Sequence, residues 1–247
     1  MSETFGQVTN STNALMREFD IITHNLANVS TTGYKRICNK FSKSLDSNEP
    51  GQVEAGTNTN SSSSSLSSTL DFSQGNIVET GRPLDLALYG KGFFAMETPN
   101  GPLYSRNGIF HINQNGQIVN SSGYIVAGQA GPITIPSDIG PSELNVSIDG
   151  TISARDTAIG KLKIVDFKDN ENKLTPAGAN CYKIPEDIQP TTVENIVVKQ
   201  GYQEASNVKL IDEPVDMIMV CRLYEANMKI VSSQGNTSSS LIGVAMG

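Results

Sequence analysis

Residues 1–36 read MSETFGQVTNSTNALMREFDIITHNLANVSTTGYKR. Within this stretch Phe5, Val8, Thr12, Leu15, Phe19, Ile22, Leu26 and Val29 recur alternately three and four positions apart, the spacing of a helix that lays one stripe against another helix. Only Thr12 interrupts the apolar series. Asn25, Asn28, Ser30, Thr31, Thr32 and Gly33 then crowd together ahead of the basic pair Lys35-Arg36. The pattern predicts a long helix that stops at a specified place. Burying one stripe falls short of the cost of ordering so long a helix, so this end is expected to become fully ordered only on assembly.

The same rhythm returns near the other end. Met217, Cys221, Tyr224, Met228 and Val231 follow a four-three-four-three spacing, and Ile218, Val220, Leu223 and Ile230 widen the apolar face. Two ends with matching stripes are expected to pair, and the extra apolar surface on the second asks for further partners. Pro214 suits a first turn, which places the start near Glu213, while Gly235-Asn236 predicts a break near Gln234. Cys221 reads as a small apolar residue on the stripe.

Between the ends the texture is that of short strands and tight turns. Leu84–Tyr89 and Gly92–Met96 flank Gly90-Lys91, and the pairs Asn100-Gly101, Asn115-Gly116, Ser122-Gly123 and Asp149-Gly150 mark hairpins. Gly131–Pro136 reads as a proline-bracketed edge strand. Leu144–Ile148, Thr151–Ala154, Lys161–Phe167 and Val193–Lys199 continue the alternation, the whole suggesting an antiparallel meander. Residues 57–69, TNTNSSSSSLSST, are too poor in apolar side chains to bury a face and are expected to be a tether. The expected class is therefore α+β, with N- and C-terminal coiled-coil-like helices flanking an all-β antiparallel module. The expected division is 1–36, a Ser/Asn-rich linker at 37–70, a β module at 71–205 and a helical segment at 206–247. A β insert between two pairing helices suits a subunit that polymerises through its termini.

Composition removes several alternatives. A formal net charge of -7 argues against binding a nucleic-acid backbone, and 6% aromatic residues with no tryptophan argue against base-stacking platforms. No apolar run is long enough for insertion into a membrane as a helix, and the first helix is too polar between its stripe positions for a secretory signal. The three cysteines, Cys38, Cys181 and Cys221, make neither a disulfide framework nor a zinc site. His24 and His111 stand without a nucleophile elbow or phosphate-cradling loop, and Gly90-Lys91-Gly92 lacks the rest of a dinucleotide fingerprint. Asp166, Asp169 and Glu171 read as a solvated acidic turn rather than a calcium site. No catalytic constellation, metal site or cofactor motif is expected. The competing class is a secreted β-rich adhesin or binding module.

Asn25–Arg36 resembles the N-terminal signature of the bacterial flagellar basal-body rod and hook proteins. Three further blocks resemble that family in the expected order: Gly81–Leu88 leading into Gly90–Phe94, Tyr104–Phe110 with Gly116 and Gly123-Tyr124, and Gln200–Val208 ahead of Met217-Ile218 and Arg222–Asn227. Residues 131–164 are most like the proximal-rod member, with the distal-rod member close behind. The resemblance implies a rod subunit, exported unfolded by the flagellar type III apparatus without a cleaved signal. It implies terminal helices that line a tube with β domains outside, and copies of itself and other rod subunits as partners. It adds Asn25, Asn28, Gly33, Ile218 and Arg222 to the stripe residues as candidate assembly positions. His24 and Cys221 stand where the family more often has asparagine and glutamine.

Overall fold

The computed structural model describes residues 2–42, 65–155, 157–185, 187–193 and 196–246. The chain divides into two compact units. A helical unit takes the described residues of Met1–His24, Ile37–Thr69 and Ile211–Gly247, and a β unit takes those of Asn25–Arg36 and Leu70–Leu210. The division therefore falls inside the first helix rather than after residue 36, because residues 25–36 are bonded into the β unit.

Helix α1 spans Ser2–Ala27. Beyond it the chain closes in overlapping turns: Asn28 N–H donates to Asn25 O, Val29 to Leu26, Thr31 to Asn28 and Tyr34 to Thr31. Thr31 Oγ1 also donates to Asn28 Oδ1 at 3.2 Å, and short polar side chains that bond locally disfavour continuation of a helix. Strands β1 (Ile37–Ser42) and β2 (Ser65–Leu70) form a two-stranded sheet. For the described residues this corrects the expectation of a Ser/Asn-rich linker over 37–70 and of a tether over 57–69, since both described ends of the stretch are strands. The partner strand supplies the backbone bonds that the serine-rich sequence does not advertise, so tertiary pairing overrides local propensity. Residues 43–64 of the expected linker lie outside the described residues.

The β unit continues with β3 (Ile77–Glu79), β4 (Leu86–Tyr89), β5 (Phe93–Thr98), β6 (Gly101–Ser105), β7 (Phe110–Ile112), β8 (Ile118–Asn120), β9 (Ile125–Gly128) and β10 (Gly131–Pro132). Then come β11 (Leu144–Val146), β12 (Thr151–Ala154), β13 (Thr157–Lys161), β14 (Ile164–Asp166), β15 (Thr175–Gly178), β16 (Cys181–Lys183), β17 (Thr191–Thr192), β18 (Val197–Gln200) and β19 (Tyr202–Glu204). The four glycine pairs mark turns as expected, between β5 and β6, β7 and β8, β8 and β9, and β11 and β12. The main sheet runs β15-β16-β6-β5-β9-β8-β7, so it is antiparallel but not a plain meander: β9 inserts beside β5 and β14 also pairs with it. The expected strand Lys161–Phe167 splits, with β13 in a three-stranded sheet beside β12 and β14 in the main one.

Strand β5 is buried along Phe93–Met96 because the sheet is covered on both faces. Phe94 and Met96 join a core with Leu86, Leu88, Phe110 and Ile152, while Phe93 and Ala95 join a second with Tyr104, Phe167 and Tyr182. Edge-to-face rings fix both, Phe94 on Phe110 at 5.1 Å and Tyr104 on Phe167 at 4.8 Å.

Helix α2 spans Asp212–Met246. Its start agrees with Pro214 in the first turn. The expected break near Gln234 is overturned: the helix runs through Gly235-Asn236. A glycine inside a helix costs only about 1 kcal/mol relative to alanine, too little to end an otherwise favourable segment.

Candidate assembly site

The helical unit carries most of the positions singled out by spacing. On α1, Val8, Leu15 and Leu26 are half-buried, Ile22 is buried, and Phe19 is 37% exposed; the side chain of Phe5 lies outside the described residues. On α2, Met217, Tyr224 and Val231 are half-buried, but Ile218, Cys221, Arg222 and Met228 are exposed. The inward positions are instead Glu213, Met217, Val220, Tyr224, Asn227 and Val231, again alternately four and three apart. The stripe is thus rotated by one residue at two of its steps, with Val220 replacing Cys221 and Asn227 replacing Met228. Asn227 faces inward because its Nδ2 donates to Ser11 Oγ of α1 at 3.0 Å. A mainly apolar groove of about 550 Å3 is lined by Leu15, Met16, Phe19, Val220, Cys221 and Tyr224 together with Asp20 and Glu225. Outward-facing α2 carries Val215, Met219 and Leu223 as well as Ile218, all more than half exposed.

Residues 25–36 make a second site, inside the β unit. Asn25, Gly33, Tyr34 and Lys35 are buried, and Asn28 and Val29 half-buried. Tyr34 Oη donates to Asn25 Oδ1 at 3.1 Å, fixing the turn from within. Gly33 has φ +69, and a Cβ there would lie 2.5 Å from Asn107 N, so no other residue fits the fold at this point. Its N–H donates to Glu204 O at 2.7 Å. Lys35 Nζ donates to Glu204 Oε1 at 2.6 Å and to Ser73 O at 2.7 Å, both partners of the ion pair being fully buried. Gly75 N–H donates to the same Oε1 at 3.0 Å. Arg106 lies 3.5 Å from Glu204 Oε2, donates from Nη2 to Gly90 O and packs over the Phe93 ring. Burial lowers the pKa of both Lys35 and Arg106, partly offset by the Glu204 charge.

Asn207 completes the junction. Its Oδ1 accepts from Arg36 N–H at 2.7 Å, its Nδ2 donates to Asp71 O at 2.8 Å, and its N–H donates to Tyr34 O. Gln203 bridges Thr32 and the buried Asp85 carboxylate, which accepts from its Nε2 at 2.6 Å. Spacing singled out neither Glu204 nor Asn207, nor Arg106. The only signal was their place inside the blocks that carry the family resemblance, since a buried pair 169 residues apart leaves no periodicity.

Three stretches of the sequence match family models. Residues 10–35 match the flagella basal body rod protein model, 87–154 the flagellar hook protein FlgE/F/G D1 domain, and 199–244 the flagellar basal body rod FlgEFG protein C-terminal model. The flagellar basal-body rod protein FlgG of Buchnera aphidicola subsp. Schizaphis graminum is 33% identical over 251 residues, covering 90% of each chain. This chain belongs to the flagellar basal-body rod protein family. FlgF of Caulobacter vibrioides is 31% identical over 236 residues, covering 92% of this chain and 91% of its own, and FlgG of Bacillus subtilis 30% over 248 residues, covering 92% and 93%. The rod protein is thus a structural subunit of the flagellar basal-body rod, a motility structure, and not an enzyme. The first and third matched segments meet in the Lys35–Glu204 junction.

Proposed function

We propose that the rod protein is built into the rod by its terminal helices, α1 and α2 packing in coiled-coil fashion with those of copies of itself and of other rod subunits to line a hollow drive shaft, the β unit standing outside. The single observation behind this reading is the outward apolar face of α2: Val215, Ile218, Met219 and Leu223 are each more than half exposed, with Met228 and Ile230 close behind. A contiguous apolar stripe of this kind on a helix marks an interaction surface. The interface proposed is Phe5, Val8, Leu15, Phe19, Ile22 and Leu26 of the first helix and Val29 in the turn after it, with Met217, Ile218, Cys221, Arg222, Tyr224, Met228 and Val231 of the second. Asn25, Asn28 and Gly33 shape the helix end. Delivery by the flagellar type III export apparatus, a position in the proximal or distal rod and the absence of membrane insertion belong to the same reading; no described helix is long and apolar enough to cross a bilayer.

Its test is complementation of a strain lacking the chromosomal copy. Leu15→Asp and Ile218→Asp are expected to leave the β unit folded by circular dichroism and to abolish incorporation into isolated basal bodies. Normal incorporation of both variants would sink the reading.

A further inference from the structure

The chain leaves the β unit toward α1 through residues 25–36 and toward α2 through the residues after Glu204, and these two segments are bonded directly to each other. They run side by side in the same direction. Thr32 Oγ1 donates to Gln203 Oε1 at 3.2 Å, Gly33 N–H to Glu204 O at 2.7 Å, Asn207 N–H to Tyr34 O at 3.4 Å, and Arg36 N–H to Asn207 Oδ1 at 2.7 Å. With this parallel order, α1 is attached at the start of one segment and α2 at the end of the other. Tension arriving through the two helices drags the segments lengthwise past each other, so the bonds are strained together instead of being peeled one at a time. The buried Lys35–Glu204 pair joins the same two segments, and separating it strands the Lys35 charge in the interior, while Glu204 keeps Arg106 at 3.5 Å. Residues 71–75 are tied to the same two side chains, through Gly75 to Glu204 and Asp71 to Asn207, so a third segment resists the same motion.

We propose that this junction is a shear clamp, the element through which load on the terminal helices of a rod subunit enters the β unit. The proposal rests on the chain's use of those helices to carry load in the rod. The clamp itself is a property of one molecule and is measured without a rod.

The full chain is held by handles at its two termini and stretched in an optical trap, then stretched again through click-chemistry handles at Asn115 and Lys168, exposed positions of the β unit outside the clamp. The wild-type β unit is expected to yield at a higher force from the termini than from the internal pair, a comparison that needs no clamp variant. Asn207→Ala is expected to raise the unfolding rate under terminal tension about tenfold, and to change it less than about twofold between the internal handles. Equal yield forces in the two directions, or the same acceleration in both for Asn207→Ala, would overturn the clamp. A chain with the expected mechanics whose Leu15→Asp and Ile218→Asp forms still assembled would instead strike the assembly reading.

Discussion

Glu204 compensates two buried cations, Lys35 at 2.6 Å and Arg106 at 3.5 Å, and this asymmetry orders the effects of substitution. Removing the carboxylate strands two positive charges, whereas removing Lys35 leaves Arg106 and Glu204 paired. Glu204→Gln is expected to cost about 3–5 kcal/mol in urea denaturation and Lys35→Met clearly less, with the double variant milder than Glu204→Gln alone. A larger loss for Lys35→Met would contradict the arrangement. At the surface, Asp149 accepts from Lys161 Nζ at 3.0 Å and from Thr151 Oγ1 at 2.8 Å, which lowers its carboxyl pKa to about 2. A folded pKa below the unfolded one contributes stability that is present above the unfolded value, roughly 3.9, and is lost as pH falls toward the folded value. The carboxyl resonance of Asp149 should therefore titrate near pH 2 in the folded protein and move up in Lys161→Met; a midpoint near 4 in the wild type would refute the contact.

At the scale of the element, α2 shows what periodicity determines and what it leaves open. Met217, Tyr224 and Val231 belong to two overlapping stripes, one continued by Cys221 and Met228 and the other by Val220 and Asn227. Both fit a helix seam by spacing, and hydropathy favours the one that is exposed in the single chain, because Asn227 is polar and Met228 is not. The burial of Val220, with the bond from Asn227 to Ser11 beside it, decides between them. Cys221 is accordingly exposed, while Cys181 is buried with its thiol pKa raised by burial. In the monomer a soluble maleimide should label Cys221 rapidly and Cys181 only on unfolding, read by mass spectrometry of the peptides. The continuous course of α2 through Gly235 leads to a further expectation. Gly235→Ala should stabilise the helix by about 0.5–1 kcal/mol and raise the helical signal at 222 nm, whereas a helix that broke there would show no gain.

For the whole molecule, the two units differ in what holds them. The β unit has cores on both faces of its main sheet, and the helical unit leaves much of its apolar surface outward. Hydrogen exchange on the dilute protein should find slow amides in β5, β6 and β9 and fast ones along residues 2–24 and 211–246, the latter becoming protected on assembly. Protection of those helical residues at high dilution would show that the helical unit is stable by itself.

The amino-acid sequence alone determined the elements whose cause is local. The three-four spacing made both terminal helices, Pro214 set the start of α2, and the four glycine pairs placed their turns, because a tight turn or a helical stripe is specified by residues within a few positions of one another. Only the tertiary structure decided which of two stripes on α2 turns inward, that a serine-rich stretch would pair as a strand, that one expected strand would divide between two sheets, and that Lys35 would meet Glu204. Each of these depends on a partner many residues distant. Burial converts such a meeting into a strong constraint by removing the water that would otherwise satisfy the same groups, and sequence spacing carries no record of it.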